Sequence, residues 1–186
     1  NFKRELEAAK EDSVGRIWQT CTDECDDKTA ADCKVGCRTR ITESLKQYGE
    51  DLSTESADDQ TAKISDVLEK GSRRQGAAAL QSGAGLKEAK DQYEASGGKR
   101  NFNLVKKDLI SAATAGAIDA CEDTPANCVK VQKEKAIEFA GGADKFRPDE
   151  ATAVIKDARA KGAADTARTC DWETKARECM DQIKEG

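Results

Sequence analysis

The chain consists of segments with the pattern of helical hairpins, and three of them carry cysteines on both sides of the turn. The turns are C-D-D-K-T-A-A-D-C (25–33), C-E-D-T-P-A-N-C (121–128) and C-D-W-E-T-K-A-R-E-C (170–179). A glycine follows the second helix of each segment, where a left-handed residue closes many helices; these are Gly49, Gly98, Gly142 and Gly186. The pattern predicts four units in one compact domain, at 1–49, 50–98, 99–142 and 143–186.

A bulky apolar residue recurs at the same phase of each unit. Phe2, Leu52, Phe102 and Phe146 are spaced 50, 50 and 44 residues apart. A period of this size is typical of stacked helix pairs, in which each pair needs its neighbours to bury its apolar face. We therefore predict an all-α fold, an array of four disulfide-stapled antiparallel helical hairpins. The alternative is a run of unrelated hairpins that shares only evenly spaced glycine stops.

The composition predicts thin helices with a narrow apolar seam. Leu, Ile, Val and Phe together make up 27 of 186 residues, while the chain has 29 alanines and a net charge of −5. Alanine favours helix more than any other residue. Because such a core buries little area, disulfides should contribute strongly to stability.

The four cysteines of the first unit lie in two helical stripes that should face each other. In an antiparallel hairpin the residues nearest the turn pair first, so we expect bonds Cys25–Cys33 and Cys21–Cys37. The other turns predict Cys121–Cys128 and Cys170–Cys179. An even number of cysteines at patterned spacing favours disulfides formed in an oxidising compartment. We therefore expect a secreted or luminal protein.

The doubled C-x3-C of residues 21–37 resembles the helical hairpins of plant α-hairpinin peptides and of small chaperones of the mitochondrial intermembrane space. The resemblance implies that 25–33 and 21–37 are the inner and outer bridges, and it covers only these residues. A zinc site built from the same four cysteines is the alternative. Structural zinc sites more often use C-x2-C or C-x4-C spacing, so we predict no metal and no cofactor.

Several function classes are disfavoured by residue types alone. The chain has no histidine, which removes the commonest general base and metal ligand and every nucleophile system that relies on histidine. A pI near 5.1 and basic residues that form no continuous stripe argue against nucleic-acid binding. No apolar stretch approaches the roughly 20 residues of a transmembrane helix. We therefore predict a protein that is not an enzyme and has no membrane span.

Two further segments carry expectations of their own. Asp51, Glu55, Asp58 and Asp59 form an acidic patch that favours helix capping and surface charge, with weak divalent-cation binding as the alternative. The segment 71–85 has glycine at four positions, and glycine weakens helices. We expect it to be the turn of the second unit and the part with the fastest hydrogen exchange.

The function predicted from these observations is a non-catalytic structural or interaction module, a processed piece of a larger repeat protein. It would act on a protein partner or by self-assembly. The default interpretation of Trp18 and Trp172 is packing in the core, and the alternative is that they are the interaction residues, because aromatic side chains are enriched in binding hot spots. Two alternatives stay open. One is a carrier of a small ligand or pigment between helices, which requires a gap lined by Trp18, Tyr48, Phe102 or Phe139. The other is an extrinsic subunit of a membrane complex.

Overall fold

The structure, a computed structural model, describes residues 2–25, 30–119, 125–142, 145–169, 177 and 180. Over these residues it is all-helical, as predicted, and contains no strand. The helices are α1 (Phe2–Glu24), α2 (Ala30–Gln47), α3 (Ala57–Gln81), α4 (Leu86–Ala95), α5 (Phe102–Asp119), α6 (Pro125–Phe139) and α7 (Pro148–Thr169). None of the helices described is long and apolar enough to cross a membrane.

The chain divides into two compact units, a division that does not test the four boundaries expected from the repeat. Unit 1 comprises residues 1–75 and 91–99, and unit 2 comprises residues 76–90 and 100–186. Unit 1 contains the packed pair α1 and α2, while in unit 2 the helices α5, α6 and α7 all pack against one another. The division into four stapled hairpins therefore stays a prediction.

The core of unit 1 is a cluster of branched aliphatic side chains from α1, α2, α3 and the α2–α3 connection. Ile17 and Trp18 of α1 are partly buried against it. Along α1, α2 and α3 these side chains recur at the spacing of one helix face. The buried members are Val14, Ile41, Leu45, Leu52, Ile64, Val67 and Leu68.

The glycine-rich segment is not the turn that we predicted. Helix α3 continues through Gly71 and Gly76 to Gln81, and only residues 82–85 form the turn to α4. The physical reason is close packing, because a Cβ on Gly71 would lie 3.3 Å from Glu11 Cβ of α1. A Cβ on Gly76 would lie 3.1 Å from the carbonyl oxygen of Ala89 and 3.1 Å from a methyl group of Leu109. These glycines allow neighbouring segments to approach the helix.

The glycine stops predicted at Gly49 and Gly142 are confirmed, whereas the stop predicted at Gly98 lies at Gly97. The phase of the repeat is less regular. Gly49, Gly97, Gly141 and Gly142 have positive φ angles of 86°, 98°, 91° and 116°, and they follow α2, α4 and α6. The phased residues occupy different environments: Leu52 and Phe146 are buried, whereas Phe2 is 76% exposed. Residues at the same position of the sequence repeat therefore differ in how deeply they are buried.

Candidate functional site

Trp18, one of the two tryptophans considered as interaction residues, packs at the edge of the unit 1 core. It follows Val14 and Ile17 on the apolar stripe of α1 and precedes Cys21 by one turn. The Lys99 ammonium lies 4.6 Å from the centroid of the indole ring, within the range of a cation–π interaction. Trp18 thus has one side against the core and a cation over its ring.

The backbone at Gly97, in the turn after α4, packs closely against this indole. Its φ of +98° is a conformation that L side chains rarely adopt. A Cβ at this position would also lie 3.0 Å from Trp18 Cδ1 and 3.2 Å from a methyl carbon of Leu68. Glycine is therefore required here both for the turn and for the seating of Trp18.

A cavity of about 580 Å³ lies beside Trp18, and its lining is mainly apolar. Its volume falls within the range of roughly 300–1,000 Å³ that is usual for small-molecule sites. We call it the Trp18 cavity. It is lined by Trp18, Cys21, Thr22, Cys25, Cys33, Cys37, Arg38, Ile41, Thr61, Ile64, Ser65, Leu68 and Lys99.

Two cations line the Trp18 cavity without a carboxylate partner among the residues that the structure describes. The Lys99 ammonium lies over the Trp18 ring, and neither Lys99 nor Arg38 makes an ion pair in this part of the chain. Their neighbour Arg40, by contrast, binds Glu24 at 2.7 Å. The cavity therefore combines apolar walls with two uncompensated positive charges.

Four cysteines meet at one end of the cavity, and we call Cys21, Cys25, Cys33 and Cys37 the sulfur cluster. Cys25 and Cys33 form a disulfide, as predicted, with their Cα atoms 5.7 Å apart. Cys21 and Cys37 are both free thiols, so the predicted Cys21–Cys37 bond is not formed in the structure. Cys37 Sγ instead lies 4.0 Å from Cys25 Sγ. The outer pairing remains a prediction for a fully oxidised chain.

The environment of Cys37 keeps its thiol protonated at neutral pH. Burial, followed by the hydrogen bond with Cys21, raises the pKa of Cys37 to about 11. A thiol held in this form is a poor nucleophile, because the thiolate is the reactive species.

The remaining predicted site residues are placed as follows. Cys128 is disulfide-bonded, while Cys121, Cys170, Cys179 and Trp172 lie outside the described residues. The predicted pairs 121–128 and 170–179 are accordingly untested.

The aromatic residues proposed for a carrier are not gathered in one place. Only Trp18 lines the Trp18 cavity. Tyr48 lines a second cavity of unit 1, of about 460 Å³, together with the polar side chains of Glu11, Asp12 and Arg16. Phe139 belongs to the interior of unit 2.

The acidic patch caps the start of α3 and forms ion pairs with lysines, which agrees with the interpretation of helix capping and surface charge. The backbone N–H of Asp59 donates to Ser56 Oγ at 3.2 Å, while the Ser56 hydroxyl donates to Asp59 at 2.6 Å, closing the start of α3. Glu55 pairs with Lys63, and Asp51 accepts a hydrogen bond from the backbone N–H of Ser53 at 3.0 Å. In the part of the chain that is described, the acidic side chains form no cluster suited to a metal ion.

Sequence reasoning missed Arg38, Lys99 and Gly97. The available signal was the glycine pair 97–98 directly before a lysine, but nothing in the sequence brings that turn to Trp18, 79 residues earlier.

Comparison with known proteins adds no assignment. The chain matches no known family model, and no curated protein and no solved structure is detectably similar to it.

Proposed function

We propose that the chain is a non-catalytic binding protein whose first unit takes up a small, largely apolar molecule that carries one anionic group. The observation that supports this most directly is the Trp18 cavity, with its apolar walls and the unpaired cations of Arg38 and Lys99. Pockets of this size with few polar groups are the usual form of small-molecule sites. The absence of histidine from the chain also favours binding over catalysis.

The charge of the ligand follows from its surroundings. The protein as a whole carries a net charge of −5, so an anion would be repelled from most of its surface. At the Trp18 cavity an anionic group would instead meet two cations that no described carboxylate neutralises. The apolar part of the molecule would contact the indole and the side chains of Ile64 and Leu68.

A secreted or luminal location belongs to the same proposal. It is supported by the Cys25–Cys33 disulfide and by the disulfide of Cys128, because such bonds persist in oxidising compartments.

An interaction module, binding a protein partner or a second copy of itself, is the second candidate. Phe2 and Leu6 favour it, because they lie one helical turn apart on α1 and are 76% and 38% exposed. Trp18 supports this candidate less than the sequence suggested, because its indole packs against the core and Gly97 rather than standing free.

A matched pair of fluorescent probes tests the proposal. We expect anilinonaphthalene sulfonate, an apolar anion, to bind the full chain saturably and more tightly than phenylnaphthylamine, its uncharged relative. Lys99→Gln and Arg38→Gln should each weaken binding of the anion about fivefold, since one ion pair near the surface contributes about 1 kcal/mol. Binding of the neutral probe should stay unchanged, as should binding of both probes to Lys70→Gln, whose cation pairs with Asp66 outside the cavity.

The proposal fails if neither probe binds saturably, or if the charge variants affect both probes equally. Native mass spectrometry of the protein from its source separates the two candidates. A co-purified small molecule supports the carrier. A homo-oligomer that dissociates in Phe2→Ser/Leu6→Ser, without a small molecule, supports the interaction module.

A further inference from the structure

We propose that unit 1 has a second binding site, which takes up a neutral mono- or disaccharide. The site is the cavity of about 460 Å³ beside Tyr48, which we call the polar cavity, and all of its lining residues belong to unit 1. It shares only Leu68 with the Trp18 cavity. The two sites therefore have different walls, and neither proposal depends on the other.

The walls of the polar cavity consist mainly of hydrogen-bonding side chains, unlike those of the Trp18 cavity. Eight of its twelve lining residues have polar side chains. Three of these are the amides of Gln19, Gln75 and Gln92, each of which offers both donors and an acceptor. The hydroxyl groups of a sugar also donate and accept, so they match such a lining. An apolar molecule would instead leave these polar groups without partners, which costs free energy.

The charges around the polar cavity compensate one another, which favours a neutral ligand. Glu11 and Asp12 supply two negative charges to the lining, and Arg16 supplies one positive charge. Arg74 supplies a second positive charge, because its guanidinium binds Glu11 at 2.9 Å and Asp12 at 2.5 Å. Since the charges of these four groups cancel, neither an anion nor a cation would be attracted by a net charge there.

Each of the two carboxylates has one oxygen to which no residue of the described chain donates a hydrogen bond. Arg74 donates to Oε2 of Glu11, and Arg74 and Gln75 both donate to Oδ1 of Asp12. The other oxygens, Oε1 of Glu11 and Oδ2 of Asp12, are acceptors for a ligand. Burial raises the pKa of Glu11, because its charged form is poorly hydrated. Hydroxyl donors from a sugar would therefore stabilise this carboxylate.

Tyr48 adds an aromatic ring to the lining, and two glycines shape the space. The ring offers an apolar face to the C–H groups of a sugar, and its hydroxyl makes no hydrogen bond with the described residues. Gly15 lines the cavity from α1, and a Cβ there would meet no atom within 4 Å. Gly71 of α3 lies so close to α1 that a Cβ would be 3.3 Å from Glu11 Cβ. The volume is within the range that is usual for small-molecule sites.

Saturation-transfer difference NMR of the full chain with neutral sugars tests the proposal. The probes are glucose, galactose, mannose, maltose, lactose and cellobiose, and titration calorimetry gives the affinity of each sugar that binds. At least one should bind saturably. Gln92→Ala should weaken its binding about fivefold, the change that corresponds to loss of one hydrogen bond. Gln47→Ala should leave binding unchanged, because Gln47 is as exposed as Gln92 but does not line the polar cavity.

A variant that fills the polar cavity should have the larger effect. Gly15→Met should abolish sugar binding, because its side chain would occupy open space on the lining. Gly36→Met is the matched control, since a Cβ on this glycine of α2 also meets no atom within 4 Å and Gly36 does not line the polar cavity. Lys99→Gln, which tests the Trp18 cavity, should leave sugar binding unchanged. Circular dichroism checks the helix content of every variant.

Two results would overturn the proposal directly. One is that no sugar among the six binds saturably to the wild type. The other is that Gly15→Met and Gln92→Ala, with normal helix content, bind as tightly as the wild type does. Choline and glucuronate are the charged probes. Binding of either one without binding of a neutral sugar would also overturn the proposal, because the polar cavity would then recognise charge.

Discussion

The two units solve the shortage of large apolar residues in different ways. Unit 1 has a core of branched aliphatic side chains without a buried alanine among its described residues, and a cavity of about 580 Å³ lies beside it. Unit 2 intersperses buried alanines among its large apolar side chains along α5, α6 and α7; these alanines are Ala113, Ala136, Ala151 and Ala158. Small residues allow helix backbones to approach closely, so a narrow seam fills the available space. The comparison shows how one composition can provide both a candidate binding site and a compact bundle.

The polar groups of the two units also differ. Unit 1 buries three serines and one charged side chain, Lys10, which binds Glu50 at 2.5 Å. Its partly exposed Arg74 binds Glu11 at 2.9 Å and Asp12 at 2.5 Å. In unit 2 the fully buried polar side chains are hydroxyl and amide groups, those of Ser111, Thr114 and Gln132. Unit 1 should therefore be the more sensitive to pH and salt.

The largest effect is expected from truncation of the unit 2 core. Leu109 is fully buried on α5, whereas Leu104, less than two turns away, is 76% exposed. Leu109→Ala should lower the free energy of unfolding by about 2–5 kcal/mol, because both the apolar contacts and the filled volume are lost. Leu104→Ala should change it by no more than about 0.5 kcal/mol. Urea unfolding measures both, and similar values would show that α5 is packed on another face.

Alanine substitutions at two helical glycines should change the free energy of unfolding by smaller amounts and in opposite directions. Gly76→Ala places a Cβ 3.1 Å from the Ala89 carbonyl oxygen, a backbone atom that cannot easily move. The overpacking should cost about 1–3 kcal/mol, reduced by the roughly 1 kcal/mol by which alanine favours helix over glycine. Gly15→Ala on α1 meets nothing within 4 Å and should stabilise by about 0.5–1 kcal/mol. Thermal unfolding of the two variants measures both changes. A Gly76→Ala variant that is more stable than the wild type would contradict the close approach of Ala89 to this position.

The smallest effect tests the charged character of unit 1. Hydrogen bonds from Ser53, and then Lys46, lower the pKa of Asp51 to about 2. Since the folded pKa is below the unfolded value, Asp51 stabilises the fold above pH about 4, and this contribution is lost as the pH falls towards 2. Asp51→Asn should therefore lower the melting temperature slightly near neutral pH and leave it unchanged near pH 2. Asp23→Asn, at an exposed position on α1, is the control, and an identical pH dependence in both variants would exclude the effect of Asp51.

Much of the local structure could be predicted from the sequence, because it depends on neighbouring residues. The helical stripe Val14, Ile17 and Cys21 identifies the buried side of α1, and α7 begins at Pro148 as its missing N–H allows. The internal glycine stops at 49, 97 and 141–142 follow from the left-handed backbone that glycine accepts. The Cys25–Cys33 disulfide follows from two cysteines that face each other across a short turn.

Packing decided the rest, because it depends on contacts between residues far apart in the chain. Gly71 and Gly76 have the composition of a turn but lie inside α3, since the free energy gained by close approach outweighs the weak helix propensity of glycine. The turn at Gly97–Lys99 comes back to α1 and places Lys99 on the lining of the Trp18 cavity, and no local pattern specifies that meeting. Residue types and their spacing thus determined the helices and the Cys25–Cys33 pair, whereas the tertiary structure placed Arg38 and Lys99 at the cavity.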